Sequence, residues 1–199
     1  MNTDTLHHSI PTLSERLRIE TSGQHERMHQ LMAEADPFSS REQYARFALA
    51  QYLFQRDVQA LFDDERLADA VPDLNVRGRQ LAALADLADL GAVIPEDEPI
   101  ASTGVSMPAS LGWLYVSEGS TLGAAFLFKE AQDKLGLDEN FGARNLAAYP
   151  QGRARAWKDF VRALDTAGMS GDEQNLVIKG ANQAYYRFGQ LLARLYTLP

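Results

Sequence analysis

The stretch SLGWLYVSEGSTLGAAFLFKEA, residues 110–131, is apolar almost all round. As a helix it has no wet face, so other elements must cover it on nearly every side. The rest of the chain offers helices for that task. Apolar residues recur at a 3.6-residue period over long runs, and no run alternates apolar and polar as a half-buried strand does. The expected fold class is all-α, with roughly seven to nine helices packed as one domain.

Spacing and caps place the elements. Leu13, Leu17, His25, Met28, Leu31 and Met32 share one face of a first helix over about 13–35, and DPFSS (36–40) breaks it. Ser40 and Gln43 form a capping box for a second helix over about 41–62, whose apolar face carries one glutamine, Gln51. A third helix follows Asp73 and runs to about Leu90. GAVIPEDEP (91–99) is a loop. Pro108, a favoured first helical residue, opens the long helix over about 107–136. RARAWKDFVRAL (153–164) is amphipathic. Ser170 and Glu173 make a capping box for the last helix, which carries Tyr185, Tyr186 and Phe188. The loops are too short and apolar to be linkers. Residues 1–11 are expected to be a flexible arm, and residues 12–197 one domain.

Composition closes off several classes. The 199 residues contain no cysteine, which removes disulfides, thiolate metal sites and cysteine nucleophiles together. The formal charge of −8 argues against nucleic acid as a partner. No apolar run approaches the ~18 residues of a membrane span. MNTDTLHHSIPT lacks the basic and apolar regions of a signal peptide, so a cytoplasmic location is expected.

Residues 24–32, QHERMHQLM, pose the chemical question. HERMH fits H-E-x-x-H, which would make His25 and His29 zinc ligands and Glu26 a general base. A lone helical histidine can equally be the axial ligand of a haem iron, and two histidines on a wet helix face need no role at all. A zinc hydrolase needs a third ligand. No histidine lies downstream of His29, Glu42 and Glu65 sit in no ligand motif, and no strand is available to bind a substrate.

The central helix carries Gly119 and Gly123, each costing about 1 kcal/mol relative to alanine. Either two helices cross closely there, or a flat ligand lies against bare backbone and the helix kinks. With His25 opposite, the second arrangement makes a slot for haem. Its propionates would need cations or phenols. Arg18 lies two turns before His25 on the same face, Tyr115 one turn before Gly119, and Arg187 within YYRF (185–188). Taken singly, a surface arginine is usually only solvated, and a tyrosine in an apolar helix usually belongs to the core.

Together, the helical His25, RFALAQYLF (46–54), GWLYVSEGSTLGAAFLF (112–128), FGAR (141–144) and the terminal RFG (187–189) resemble the bacterial haem oxygenases over nearly all of residues 12–197. The resemblance implies a single-domain helical sandwich holding haem between a proximal helix and a glycine-kinked distal helix. It implies opening of haem by oxygen and delivered electrons to biliverdin, carbon monoxide and ferrous iron, with haem as both cofactor and substrate. By position, His25 is the iron ligand, Gly119, Ser120 and Gly123 form the distal face, Arg18, Tyr115 and Arg187 hold propionates, and Phe188 packs near the ring. With no distal histidine, proton delivery falls to ordered water, which Gln51 could anchor; the plainer reading of Gln51 is a buried amide satisfied by backbone.

Two positions mark this chain out within the resemblance. Many members carry a carboxylate four residues after the proximal histidine, where this chain has His29; Glu26, a backbone carbonyl or water is left to orient the imidazole. Members that open the α-meso position tend to pair a basic residue with a tyrosine at the propionate clamp, so Arg18 and Tyr115 imply α selectivity. The implied partners are a ferredoxin or reductase as electron donor and, downstream, iron acquisition or a biliverdin-using photoreceptor. Arg153 and Arg155 are candidates for the donor's landing site, against a merely solvated helix face. Two rivals remain. A thiamin-degrading hydrolase of related fold would need a cysteine. A non-enzymatic haem carrier would share His25 and the clamp without needing distal glycines.

Overall fold

The computed structural model describes residues 10–198; the rest of the expected N-terminal arm lies outside them. Eight α-helices are present among the described residues: α1 (Leu13–Glu20), α2 (Ser22–Ala35), α3 (Arg41–Gln59), α4 (Glu65–Ala70), α5 (Gln80–Leu90), α6 (Ala109–Leu135), α7 (Arg153–Thr166) and α8 (Gly171–Tyr196). Two single 3₁₀ turns, at Leu74–Val76 and Arg144–Leu146, complete the set. No described helix is long and apolar enough to cross a membrane.

Several boundaries differ from the sequence expectation, each for a local reason. The first helix is two, because buried Thr21 turns its hydroxyl back to the carbonyl of Leu17 at 2.7 Å and the chain leaves helical geometry there. Ser40 caps α3 through the Gln43 backbone amide at 3.1 Å, but the Gln43 side-chain oxygen Oε1 finds no partner, so only half of the expected box forms. The helix expected from Asp73 to Leu90 is a 3₁₀ turn and then α5. Between them Arg77 and Arg79 turn inward and are buried. Asp64 caps the unexpected α4 through the amide of Arg66. Pro108 is the cap of α6 rather than its first residue. Ser170 and Glu173 form the complete box on α8.

The 110–118 half of α6 is buried throughout, but the expectation that all of 110–131 is covered fails in the second half, where Ser120, Leu122, Gly123, Ala125 and Phe126 are exposed. α6 crosses α8 at backbone contact. A Cβ on Gly112 would stand 2.0 Å from the Val177 carbonyl oxygen, and one on Gly180 would stand 2.0 Å from that of Ala109. Small residues therefore do serve a close crossing in this helix, but at Gly112 rather than at Gly119 and Gly123. α2 and α3 also pack on α8. The 91–108 segment is tied down: buried Asp57 accepts from the Ala101 amide at 3.0 Å, and the Ser102 hydroxyl donates to the Asp57 carbonyl at 2.6 Å.

Candidate functional site

A cavity of about 470 Å³ opens between α2 and α6. His25, Met28, His29 and Met32 of α2 form one wall. Val116, Gly119, Ser120, Gly123, Ala124 and Leu127 of α6 form the other. Phe47, Phe54 and Phe188 supply aromatic packing, with Phe188 edge-on to Phe54 at 5.5 Å between ring centres. The result is a slot within the size range of small-molecule clefts, apolar on its broad faces with few polar groups.

His25 projects from α2 with its ring 4.6 Å from that of His29 and 6.3 Å from that of Tyr185. Burial holds its pKa below the ordinary value, helped by His29 and opposed by Glu26. Both leading effects favour neutral imidazole, the form that binds a metal. The zinc hydrolase reading of HERMH fails on ligand number: among the described residues no third metal-binding side chain joins the pair.

The opposite wall answers the question of the glycines. α6 remains helical through both. A Cβ on Gly123 would meet nothing within 4 Å, and one on Gly119 would meet only the Trp157 ring at 3.6 Å, an ordinary contact. Packing within the protein therefore does not require either glycine. Their conformational cost is not offset by any packing contact that a Cβ would disturb. Ser120 lines the same wall, but its hydroxyl donates to the Ser117 carbonyl at 2.6 Å, so its proton is committed to the helix.

The slot ends in polar groups. Gln51 lines it, as its place on the apolar face of α3 suggested. One turn further, buried Gln55 pairs its amide with the Ser117 hydroxyl at 3.2 Å. Arg79 and Asn145 join them. The Arg79 guanidinium donates to carbonyl oxygens, Asn145 at 3.1 Å and Ala147 at 2.8 Å, and lies over the Tyr149 ring at 5.0 Å. Sequence reasoning missed Gln55 and Arg79. Gln55 carries a usable signal, its i+4 spacing from Gln51. Arg79 carries none, since NVRGRQ reads as a solvated turn. Beneath this end, buried Glu118 is paired with Arg77 and accepts from the Tyr149 hydroxyl at 2.8 Å.

The expected propionate residues divide. Tyr115 sits on α6 with its ring 5.4 Å from that of Trp157. Burial raises its pKa, and the Arg18 charge partly offsets this; neither Tyr115 nor Arg18 lines the slot itself. Tyr185, whose pKa is pushed up to about 12 by burial and then by Tyr115, links this pair to the slot. Arg187 is a correction. Its guanidinium donates to Asp57 at 2.8 Å and to Glu98 at 3.0 Å, away from the slot. At about 100° per residue, a helix that turns Tyr185 and Phe188 inward turns residue 187 aside. Arg153 is likewise spent on the carbonyls of Thr121 and Leu146, while Arg155 is exposed.

The arrangement suits a flat macrocycle with a central metal and anionic edge groups: one imidazole, a bare opposing helix, aromatic packing, and a cation–phenol pair nearby. Comparisons with known proteins agree. The family model described as heme oxygenase matches residues 11–194. Heme oxygenase PigA of Pseudomonas aeruginosa is 50% identical over 184 residues, 92% of each chain. The NO- and CO-bound heme oxygenase of Neisseria meningitidis superposes with a TM-score of 0.89 at 34% identity, covering 96% of this chain and 94% of that one. The heme oxygenase of Leptospira interrogans shares the fold at a TM-score of 0.77 and 19% identity, covering 92% of this chain and 100% of that one.

Proposed function

Because the chain belongs to the haem oxygenase family, we propose that it opens haem with oxygen and delivered electrons to biliverdin, carbon monoxide and ferrous iron, using His25 as the iron ligand. The observation that carries this reading is the pairing of His25 on α2 with Gly119 and Gly123 across one slot, where nothing in the protein itself requires glycine. Haem supplies the iron at which oxygen is activated. The chain supplies position and polarity. His25 would hold the iron from one wall of the slot. Gly119 and Gly123 would present bare backbone to the opposite face of the macrocycle and leave room there for a small ligand. Gln51, Gln55, Arg79 and Asn145 give the distal end the donors and acceptors to hold water and pass protons to it.

The in-plane seat of the ring decides which meso carbon reacts. Arg187 is turned to Asp57 and Glu98, while the charge of Arg18 is felt at Tyr115, so we take the clamp to rest on that pair. We assign α-meso opening on this basis; a product that is mainly β or δ biliverdin would reject it. A reductase or ferredoxin supplies electrons in the cytoplasm, and the products serve iron acquisition or give biliverdin to a photoreceptor.

The test is a spectrum over time. Purified protein with hemin, reductant and catalase in air should lose its Soret band as a broad red biliverdin absorbance grows, and His25→Ala should not. A stable ferrous or oxygenated spectrum would instead identify a haem carrier.

A further inference from the structure

The second half of HERMH has no task in the reading above. His29 lines the same slot, four residues from His25, with its ring edge-on at 4.6 Å. Both side chains are accessible on the outer part of α2. Helical i, i+4 spacing brings two such imidazoles within reach of one ion. An ion bound at 2.0–2.1 Å lies about 3.2 Å from each ring centre, so a tetrahedral angle sets the centres about 5 Å apart. The observed 4.6 Å between ring centres is close to that spacing.

We propose that, in the haem-free enzyme, His25 and His29 chelate a borderline divalent cation such as Zn²⁺ or Cu²⁺, and that this ion and haem exclude one another. The donor set selects the class. Two imidazoles suit Zn²⁺ and Cu²⁺ and offer little to Mg²⁺ or Ca²⁺, which prefer oxygen. No third protein ligand joins them among the described residues, so water completes the shell. Such a site is exchangeable, resembling an open position more than a closed structural centre. The exclusion rests on the reading of His25 as iron ligand; the ion site does not. A divalent ion would then act as a competitive brake on haem loading.

The experiment uses the full chain without haem, with His7→Ala and His8→Ala so that two of its four histidines remain, His25 and His29. Calorimetric titration with Zn²⁺ should show one ion per chain, and His29→Ala should weaken it at least tenfold. At ten times its dissociation constant, Zn²⁺ should raise the apparent dissociation constant for haem about elevenfold by mass action, and the same Zn²⁺ concentration should raise it about twofold or less in His29→Ala. Absence of stoichiometric Zn²⁺, or Zn²⁺ binding indifferent to His29→Ala, overturns the site. Zn²⁺ bound through both histidines with haem affinity unaltered supports the ion site and overturns both the exclusion and His25 as the haem ligand.

Discussion

Gly112 on α6 lies so close to α8 that a Cβ added to it would stand 2.0 Å from the carbonyl oxygen of Val177. A methyl group there must separate two backbones, so Gly112→Ala is expected to destabilise the fold by about 3 kcal/mol, the upper part of the usual overpacking range. Gly123→Ala should have the opposite sign. Its Cβ meets nothing within 4 Å, and removing a mid-helix glycine is worth about 1 kcal/mol. Urea unfolding of the haem-free variants separates the two cases, and shifts of equal sign would erase the distinction. Gly123→Ala should also weaken haem binding, because its methyl would stand in the wall of the slot that Gly123 lines.

The Arg18–Tyr115 pair predicts product identity. The parent enzyme should release mainly α biliverdin. Arg18→Ala with Tyr115→Phe should lower the α fraction in favour of β or δ while leaving the Soret spectrum of the haem complex intact. Chromatography of the extracted pigment measures this, and an unaltered isomer ratio would show that the seat of the ring is set elsewhere.

Glu118 predicts a buried electrostatic cost. Removing its carboxylate by Glu118→Ala strands part of the Arg77 guanidinium and the Tyr149 hydroxyl inside the protein. Breaking a buried pair from one side typically costs about 3–5 kcal/mol. The lower end is expected here because Asp73 still holds Arg77 at 2.8 Å. Thermal or urea unfolding reads the loss, and a variant as stable as the parent would remove the pair from any account of what holds α6 beneath the slot.

Glu98 predicts an acid limit. The Arg194 hydrogen bond, with that of Arg187, outweighs burial and holds the Glu98 carboxyl below its ordinary 4.5. The folded state therefore binds fewer protons than the unfolded state near that pH. The stabilisation is present above about 4.5 and is lost as pH falls through the folded value. Glu98→Gln should flatten the fall in stability below pH 4.5 relative to the parent. Identical pH profiles would mean that these contacts do not help tie the 91–108 segment to α8.

The helices were legible because the 3.6-residue period and the caps at Ser40 and Ser170 are local signals. So was Gln51, a polar residue set in an apolar face. Arg187 was misplaced because nearness in sequence to Tyr185 and Phe188 says nothing about face; one step along a helix is a turn of about 100°. Arg79 was invisible because a buried guanidinium is stabilised by the carbonyls of Asn145 and Ala147, more than sixty residues away in sequence.

By itself the sequence determined an all-helical domain, a histidine on one helix and mid-helix glycines on another, since each depends on spacing within a single element, and several such segments together carried the family resemblance. Tertiary structure alone decided which glycines serve packing and which serve the slot: Gly112 and Gly119 share one helix, but only contact with α8 tells them apart. It also decided that Arg187 turns to Asp57 and Glu98. The reason is physical. Periodicity states that a face is buried, whereas the identity of what covers it depends on elements brought together from distant parts of the chain.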